Sequence, residues 1–235
     1  MVTPLIVALD VPTEVEAVGL ATRLRPHVGG FKVGLELLMG EGPSVVARVV
    51  ELGAPVFVDA KLHDIPNTVA RAARRLGDLG ARWVTVHASG GEEMVRVAAE
   101  ALAESSEGRA GALAVTVLTS LDERGLAAVG VGSPLGDHVA AMAQIGARAG
   151  AEGVVCAVTE AARVRELGLD LTVVTPGIRP TGVESSDQRR VATPGAAIRA
   201  GADLLVVGRP ITTAPDPVAS AISIAEEIES ALSTA

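Results

Sequence analysis

Short apolar segments recur along the whole chain, and longer amphipathic segments separate them. The apolar segments are rich in β-branched residues, a composition that is typical of buried strands. We therefore predict eight strands, at residues 5–9, 31–35, 55–62, 82–88, 111–118, 153–158, 171–178 and 202–209.

The intervening segments have Ala and Leu at helical spacing, and Gly follows several of them. Strand and helix thus alternate, which predicts an α/β fold with a parallel sheet. Eight repeats and a last helix near 216–233 favour a closed (β/α)8 TIM barrel over an open doubly wound sheet, and no glycine fingerprint follows the first strand. One barrel typically needs about 250 residues. We expect residues 1–235 to form a single catalytic domain.

The composition and the net charge of the chain indicate which kinds of partner it can bind. Hydrophobic residues make up 49% of the chain and aromatic residues 1%, so aliphatic side chains must fill the core, as they do in buried parallel sheets. The net charge is -8, and there is no long run of Lys or Arg. Nucleic acids and anionic membranes are bound through clustered cations, so we expect neither as a partner. A phosphate site would have to be local.

The cellular context is predicted from two further features. Cys156 lies in an apolar segment, where a small buried side chain is expected rather than a nucleophile or a metal ligand. The first ten residues lack a basic region, and no apolar run approaches 18 residues. We expect an untargeted, unanchored protein in a reducing compartment, the cytoplasm.

Charged residues occur where the predicted strands end or inside them. Asp10 ends the first strand, Lys32 lies in the second, and Asp59 and Lys61 end the third. Asp59 and Lys61 are two residues apart, so strand periodicity predicts that they point to one face, and Asp64 follows at the next helix. In barrels this rim holds the active site. A structural ion-pair network is the alternative interpretation, which five such groups disfavour.

An alternating array of carboxylates and ammonium groups indicates a type of chemistry. A fixed carboxylate can repel an anionic group of a substrate, and a neighbouring ammonium group can stabilise a developing carbanion and then protonate it. The pattern therefore favours a decarboxylase.

A second set of residues is suited to a phosphate. Gly208 and Arg209 follow the eighth predicted strand, and Arg179 follows the seventh, where barrel enzymes commonly bind phosphate. A glycine allows a backbone N–H to approach an anion, and guanidinium groups match phosphate oxygens. The alternative interpretation is that both arginines are solvated surface groups.

The histidines do not have the spacing of a metal site. We interpret His87 as a hydrogen-bonded strand residue, assign no catalytic role to His63, and expect His27 and His138 to be solvated. No metal and no cofactor are predicted.

Several segments, taken together and in order, resemble the orotidine 5'-phosphate decarboxylase family in its bacterial form, over nearly the whole chain. The segments are VALD with Asp10, FKVGLEL with Lys32, VFVDAKLHDIPNTV, TVHASGG, LAVTVLTS, TPGIRP, DQ-R-V-x-TP from Asp187, and VVGRPIT. The resemblance implies cofactor-free conversion of orotidine 5'-monophosphate to UMP and CO2 in de novo pyrimidine biosynthesis.

The resemblance also implies roles for the charged residues. Lys61 would protonate C6 of the pyrimidine, and Asp59 would press on the substrate carboxylate. Lys32 and Asp64 would complete the charged relay, and Asp10 and Lys32 would hold ribose hydroxyls.

Further binding roles follow from the same resemblance. Thr119 would contact the pyrimidine edge, and Pro176 would line the base pocket. Gln188 and Arg179 would belong to a loop that closes over the phosphate, which Gly208 and Arg209 would bind. The connections at 119–134 and 179–190 are rich in loop signals and are predicted to act as lids.

In this family, residues equivalent to Asp64, Ile65 and Thr68 reach the neighbouring subunit's site, which implies a homodimer with shared active sites. Two alternatives remain open. One is a metal-dependent sugar-phosphate decarboxylase of a related barrel family, and the other is a non-catalytic barrel that binds a phosphorylated ligand. Lys32 and the full DAKLHDIPNT segment disfavour the first, and the joint presence of Lys61 and both acids disfavours the second.

Overall fold

Eight parallel strands form a closed barrel in sequence order, with β1 paired to both β2 and β8. The computed structural model describes residues 3–180 and 192–234. The strands are β1 Leu5–Ala8, β2 Gly30–Val33, β3 Val56–Leu62, β4 Trp83–His87, β5 Gly111–Val115, β6 Gly153–Val155, β7 Thr172–Thr175 and β8 Leu204–Val207. All eight predicted strands and the barrel are confirmed.

Helices follow the strands and cover the outside of the barrel. They are α1 Glu14–Leu24, α2 Leu35–Glu41, α3 Ser44–Val50, α4 Pro66–Asp78, α5 Glu92–Ser105, α6 Glu123–Ala128, α7 Leu135–Arg148, α8 Val158–Arg165, α9 Pro194–Arg199, α10 Arg209–Thr212 and α11 Pro217–Leu232, with 3₁₀ turns at Arg25–His27 and Ala88–Gly90. Within the described residues, no helix combines the length and the apolar character needed to span a bilayer.

Local sequence explains where several helices start. The Asp216 carboxylate accepts hydrogen bonds from the N–H groups of Val218 and Ala219, which caps α11 close to the predicted start. The segment after β5 was expected to be a long loop, but it contains the short helix α6, whose first turn is capped by Asp122. Most of the second predicted lid, 179–190, lies outside the described residues.

The apolar residues form two layers. The larger one lies between the sheet and the helices, and a smaller one fills the inside of the barrel. The inner cluster consists of Ile6, Ala8, Phe57, Leu113, Val174 and Val206, with Trp83, Val155 and Leu204 packed against it. This inner layer forms the floor beneath the residues at the carboxyl ends of the strands.

Strand β3 ends at Leu62 as predicted, but the other seven strands end one to three residues before their predicted carboxyl ends. The β5 ladder stops at Val115 and the β7 ladder at Thr175, although apolar residues continue beyond both. These continuing residues, including Val117 and Pro176, leave the sheet and line a cavity instead. The apolar run therefore predicts burial correctly but not the extent of strand pairing.

Strand β3 has an irregular register against β4. Val58 pairs with Val84, but Leu62 pairs with Val86, so four steps along β3 face two steps along β4. Such a bulge bends a strand and redirects its side chains. Lys61 lies in the bulge with a φ of 47°, which is the left-handed region that residues other than glycine seldom adopt.

Candidate active site

A cavity of about 450 Å³ opens at the carboxyl ends of the strands. Its walls come from β1, β2, β3, β5, β6 and β8 and from the segments that follow β1, β2, β5, β6, β7 and β8. The predicted site residues that line it are Asp10, Lys32, Asp59, Lys61, Thr119, Pro176, Arg179, Gly208 and Arg209. The fold thus brings together residues that are up to 199 positions apart in the sequence.

Four charged side chains form a chain of alternating sign across one side of the cavity. Lys32 Nζ lies 3.0 Å from Asp10 Oδ1 and 3.6 Å from Asp59 Oδ2. Lys61 Nζ lies 2.7 Å from the same Asp59 oxygen. The contact between Asp59 and Lys61 is therefore as predicted, but its cause is the bulge in β3 rather than simple strand alternation.

Gly34 makes room for the inner lysine of this chain. A Cβ atom at this position would lie 2.8 Å from Lys32 Nζ and 3.0 Å from Asp10 Oδ1. A side chain at position 34 would therefore displace the contact between Lys32 and Asp10. The glycine of the FKVGLEL segment is explained by this close approach.

Both lysines of the sequence belong to this cluster, and the other 18 basic residues are arginines. An ammonium group is compact and can give up a proton, whereas a guanidinium group stays protonated at any ordinary pH. The use of lysine at these two positions alone fits a site that needs a compact or transferable proton. Counting the lysines would have given this signal from the sequence.

Asp59 is held in its ionised form. Burial by itself raises the pKa of the Asp59 carboxyl, but the charges of Lys32 and Lys61 and the hydrogen bonds from Lys61 and Thr85 outweigh burial, so its pKa is lowered below 3.8. The Thr85 hydroxyl donates to Asp59 Oδ1 at 2.9 Å. Our reading of the sequence did not identify Thr85, because a threonine inside a strand has an ordinary structural explanation.

Asp64, Ile65 and Thr68 do not line this chain's cavity. They lie on the exposed turn between β3 and the first turn of α4, where Asp64 Oδ1 accepts the Ile65 N–H at 2.6 Å. The Ile65 side chain is 67% exposed. These residues therefore form an outward-facing group beside the cavity.

The predicted phosphate residues Arg179, Gly208 and Arg209 line the cavity where β7 and β8 end, and a Cβ atom at Gly208 would lie 3.5 Å from Asp10 Oδ2. Arg179 is buried and donates to the Ile178 carbonyl at 2.8 Å. Gly208 precedes α10, and Arg209 is its first residue and is exposed. Gln188 lies outside the described residues.

Two histidines lie next to the bulge. The rings of His63 and His87 are 5.1 Å apart between centroids, and His87 is half-buried at the end of β4. Burial, followed by the charges of His63 and Lys61, lowers the pKa of His87 despite the opposing effect of Asp59. In the part of the chain that is described, no three His, Cys, Asp or Glu side chains are grouped as metal ligands would be. Cys156 is buried, as predicted, and lines the cavity.

A closed parallel barrel with an alternating charged cluster at its carboxyl rim defines a β/α-barrel enzyme. Residues 3–224 match the model of the "Orotidine 5'-phosphate decarboxylase / HUMPS family". The chain belongs to this family.

The sequences and a solved structure of similar proteins support this assignment. An orotidine 5'-phosphate decarboxylase of Thermobifida fusca is 52% identical over 233 residues, which is 97% of each chain. One from Anaeromyxobacter dehalogenans is 51% identical over 219 residues, which is 93% of this chain and 95% of the relative. The crystal structure of orotidine 5'-phosphate decarboxylase from Lactobacillus acidophilus is similar with a TM-score of 0.85 and 37% identity, and the match covers 96% of this chain and 99% of that one.

Proposed function

We propose that this chain converts orotidine 5'-monophosphate to UMP and CO2 without a cofactor. The observation that carries the proposal is the chain of charges Asp10–Lys32–Asp59–Lys61 on the wall of one cavity. The names of the relatives support the substrate. Residues 1–235 would act as one catalytic domain, since all described residues of the cavity come from one barrel. The location proposed for it is the cytoplasm, as predicted from the sequence.

The proposed reaction uses Asp59 and Lys61 in sequence. The substrate carboxylate lies against the ionised Asp59, and the repulsion between the two anions is relieved when CO2 leaves. The electron pair of the broken C–C bond stays on C6, where the Lys61 ammonium group stabilises it. Lys61 then transfers a proton from Nζ to C6 to give UMP, and the neutral amine regains a proton from water.

The other residues of the cavity would position the nucleotide. Asp10 and Lys32 form an ion pair at 3.0 Å, which suits two neighbouring ribose hydroxyls because it offers both an acceptor and a donor. Thr119 would contact the pyrimidine edge and Pro176 one side of the base. Both line the cavity.

The phosphate would bind at Arg179, Gly208 and Arg209, with Gln188 contributing from the adjacent segment. A phosphate far from C6 supplies binding energy that can be used to close the site and hold the reacting group in place. Phosphate binding would thus contribute to rate as well as to affinity.

Replacing Arg209 by alanine is expected to raise the Kd of UMP by about 10- to 100-fold, because a charge-assisted contact to the phosphate is lost. The Kd of uridine, which lacks the phosphate, should change by less than about twofold. Calorimetric titration with both ligands measures the two values. Arg96→Ala is the matched control, since Arg96 lies on the outer helix α5 and pairs with Glu93 and Glu100. Equal weakening of both ligands would contradict a phosphate role for Arg209.

We further propose a homodimer in which Asp64, Ile65 and Thr68 of one subunit complete the site of the other. Support comes from their position, because they are exposed beside the cavity but do not line their own. An exposed isoleucine next to an acidic group is suited to an interface with a polar edge.

Shared sites predict that two inactive variants complement each other. Lys61→Ala and Asp64→Ala should each be inactive alone. After the two variants are mixed in equal amounts and allowed to re-associate, about half of the dimers contain one subunit of each variant. Each mixed dimer has one intact site of two, so about one active site in four should be restored. Steady-state turnover after mixing measures this recovery. Absence of recovery, with mixed dimers shown by mass spectrometry, would contradict the shared site.

The activity itself is tested with protein that has been stripped by a chelator. Loss of ultraviolet absorbance of orotidine 5'-monophosphate, with UMP as the product, is expected without added metal. Mg²⁺-dependent turnover of a sugar phosphate, with no activity on orotidine 5'-monophosphate, would overturn the proposal and assign the chain to the other branch of its family.

A further inference from the structure

We infer that Thr85 is a positioning residue of the active site, whose hydroxyl fixes both the carboxylate of Asp59 and the backbone of Lys61. This inference rests on the proposed function, since it concerns the same two residues. Thr85 lies in the middle of β4, is completely buried, and does not line the cavity. It therefore acts through other residues rather than on the nucleotide.

The Thr85 hydroxyl accepts one hydrogen bond and donates another. The Lys61 N–H donates to Thr85 Oγ1 at 2.9 Å, and the Thr85 hydroxyl donates to Asp59 Oδ1 at 2.9 Å. A hydroxyl group has one proton and two lone pairs, so one Thr85 side chain can satisfy both contacts at once. Thr85 therefore links the backbone of Lys61 to the side chain of Asp59.

The two oxygens of the Asp59 carboxylate have different partners. Thr85 holds Oδ1 of Asp59, and this leaves Oδ2 to the ammonium groups of Lys61 at 2.7 Å and Lys32 at 3.6 Å. The two oxygens of a carboxylate are chemically equivalent, so the hydroxyl fixes the plane of the group, and without it the Asp59 carboxylate would be free to turn about its Cβ–Cγ bond. Thr85 thus holds the carboxylate plane in the orientation that presents one oxygen to both lysines.

Thr85 also supports the irregular backbone of β3. Lys61 has a φ of 47° and lies in the bulge between the Val58 and Leu62 pairings. A non-glycine residue in this region carries about 1–3 kcal/mol of strain, which surrounding contacts must offset. The hydroxyl of Thr85 accepts the N–H of this strained residue, so it stabilises the conformation that aims Lys61 Nζ at Asp59.

The experiment compares Thr85→Val, which has nearly the same shape but no hydroxyl, with Thr85→Ser, which keeps the hydroxyl. For Thr85→Val, kcat for orotidine 5'-monophosphate should fall by about 10- to 100-fold, the range of a hydrogen bond to a charged group, while KM changes by less than about threefold. Thr85→Ser should stay within about threefold of wild-type kcat. Should Thr85→Val not fold, Thr85→Cys, which has only a weak donor, replaces it in the same comparison.

A matched control separates positioning from stability. Thr116 is another buried threonine, and its hydroxyl donates to the Val155 carbonyl at 2.9 Å, away from the charged cluster. Thr116→Val should lower thermal stability to a similar degree but leave kcat within about threefold of wild type. A loss of kcat no larger in Thr85→Val than in Thr116→Val would overturn the inference.

Failure of the inference differs from failure of the proposed function. Wild-type protein that does not turn over orotidine 5'-monophosphate would overturn the function. In that case, crystal structures of the wild type and Thr85→Val still test the inference. A rotated Asp59 carboxylate and a Lys61 φ outside the left-handed region are expected in the variant, and an unchanged pair of residues would overturn the positioning role.

Discussion

Replacing Lys61 by alanine is expected to lower kcat by about 10⁴-fold, the upper end of what a positioned proton donor contributes. The variant loses the group that stabilises the carbanion at C6 and the proton that C6 receives. Binding of UMP should weaken by less than about tenfold, because the phosphate and ribose contacts remain. Single-turnover kinetics and calorimetric titration with UMP measure the two effects separately.

A second variant distinguishes charge from proton transfer. Lys61→Arg keeps a positive charge near Asp59, but a guanidinium group does not release a proton. We expect it to be nearly as inactive as Lys61→Ala. Substantial activity in Lys61→Arg would show that charge alone is sufficient, and unchanged turnover in Lys61→Ala would overturn the mechanism.

Replacing Asp59 by asparagine is expected to lower kcat by about 10²- to 10³-fold, the range seen when one preorganised electrostatic group is removed. The KM should fall as well, because the repulsion of the substrate carboxylate in the bound ground state is removed. Steady-state kinetics measure both parameters. Asp78→Asn, on the exposed end of α4, is the control and should behave as wild type. A raised KM with unchanged kcat would contradict the proposed role of Asp59.

The same substitution changes the acid stability of the fold. The pKa of Asp59 is lower in the folded protein than its ordinary value of 3.8, so the ionised form is favoured by folding. The stabilising contribution is complete above the ordinary value and is lost as the pH falls through the folded value. Denaturant titrations across this pH range measure the free energy of unfolding. It should fall more steeply with decreasing pH in the wild type than in Asp59→Asn, which has no carboxyl group to protonate at this position.

The sequence predicts the barrel well because the buried strands and the surrounding helices have different patterns of apolar residues. Apolar runs such as those at β1 and β8 are buried on both faces, and the helices between them bury one face. The charged residues at the strand ends were also recognisable, because an isolated charge next to a buried strand is unfavourable unless it has a role. The fold and most of the cavity wall follow from these local signals.

Features that depend on contacts between strands were not predictable in the same way. The bulge of β3 is defined against β4, and the sequence around Lys61 contains no glycine to signal a left-handed residue. Thr85 looks like any strand threonine until its two partners are located. The contact between the rings of His63 and His87 likewise depends on the pairing of β3 with β4. Each of these contacts is a tertiary one that no local pattern encodes.

The scarcity of lysine makes this chain unusually suitable for spectroscopy of its own active site. Protein grown with isotope-labelled lysine would contribute two side-chain signals, from Lys32 and Lys61, and both report on the cavity. Reductive methylation with labelled formaldehyde would mark the same two amines and the amino terminus. The protonation and the movement of the proposed proton donor could then be followed directly during ligand binding, with no surface lysine to obscure the signals.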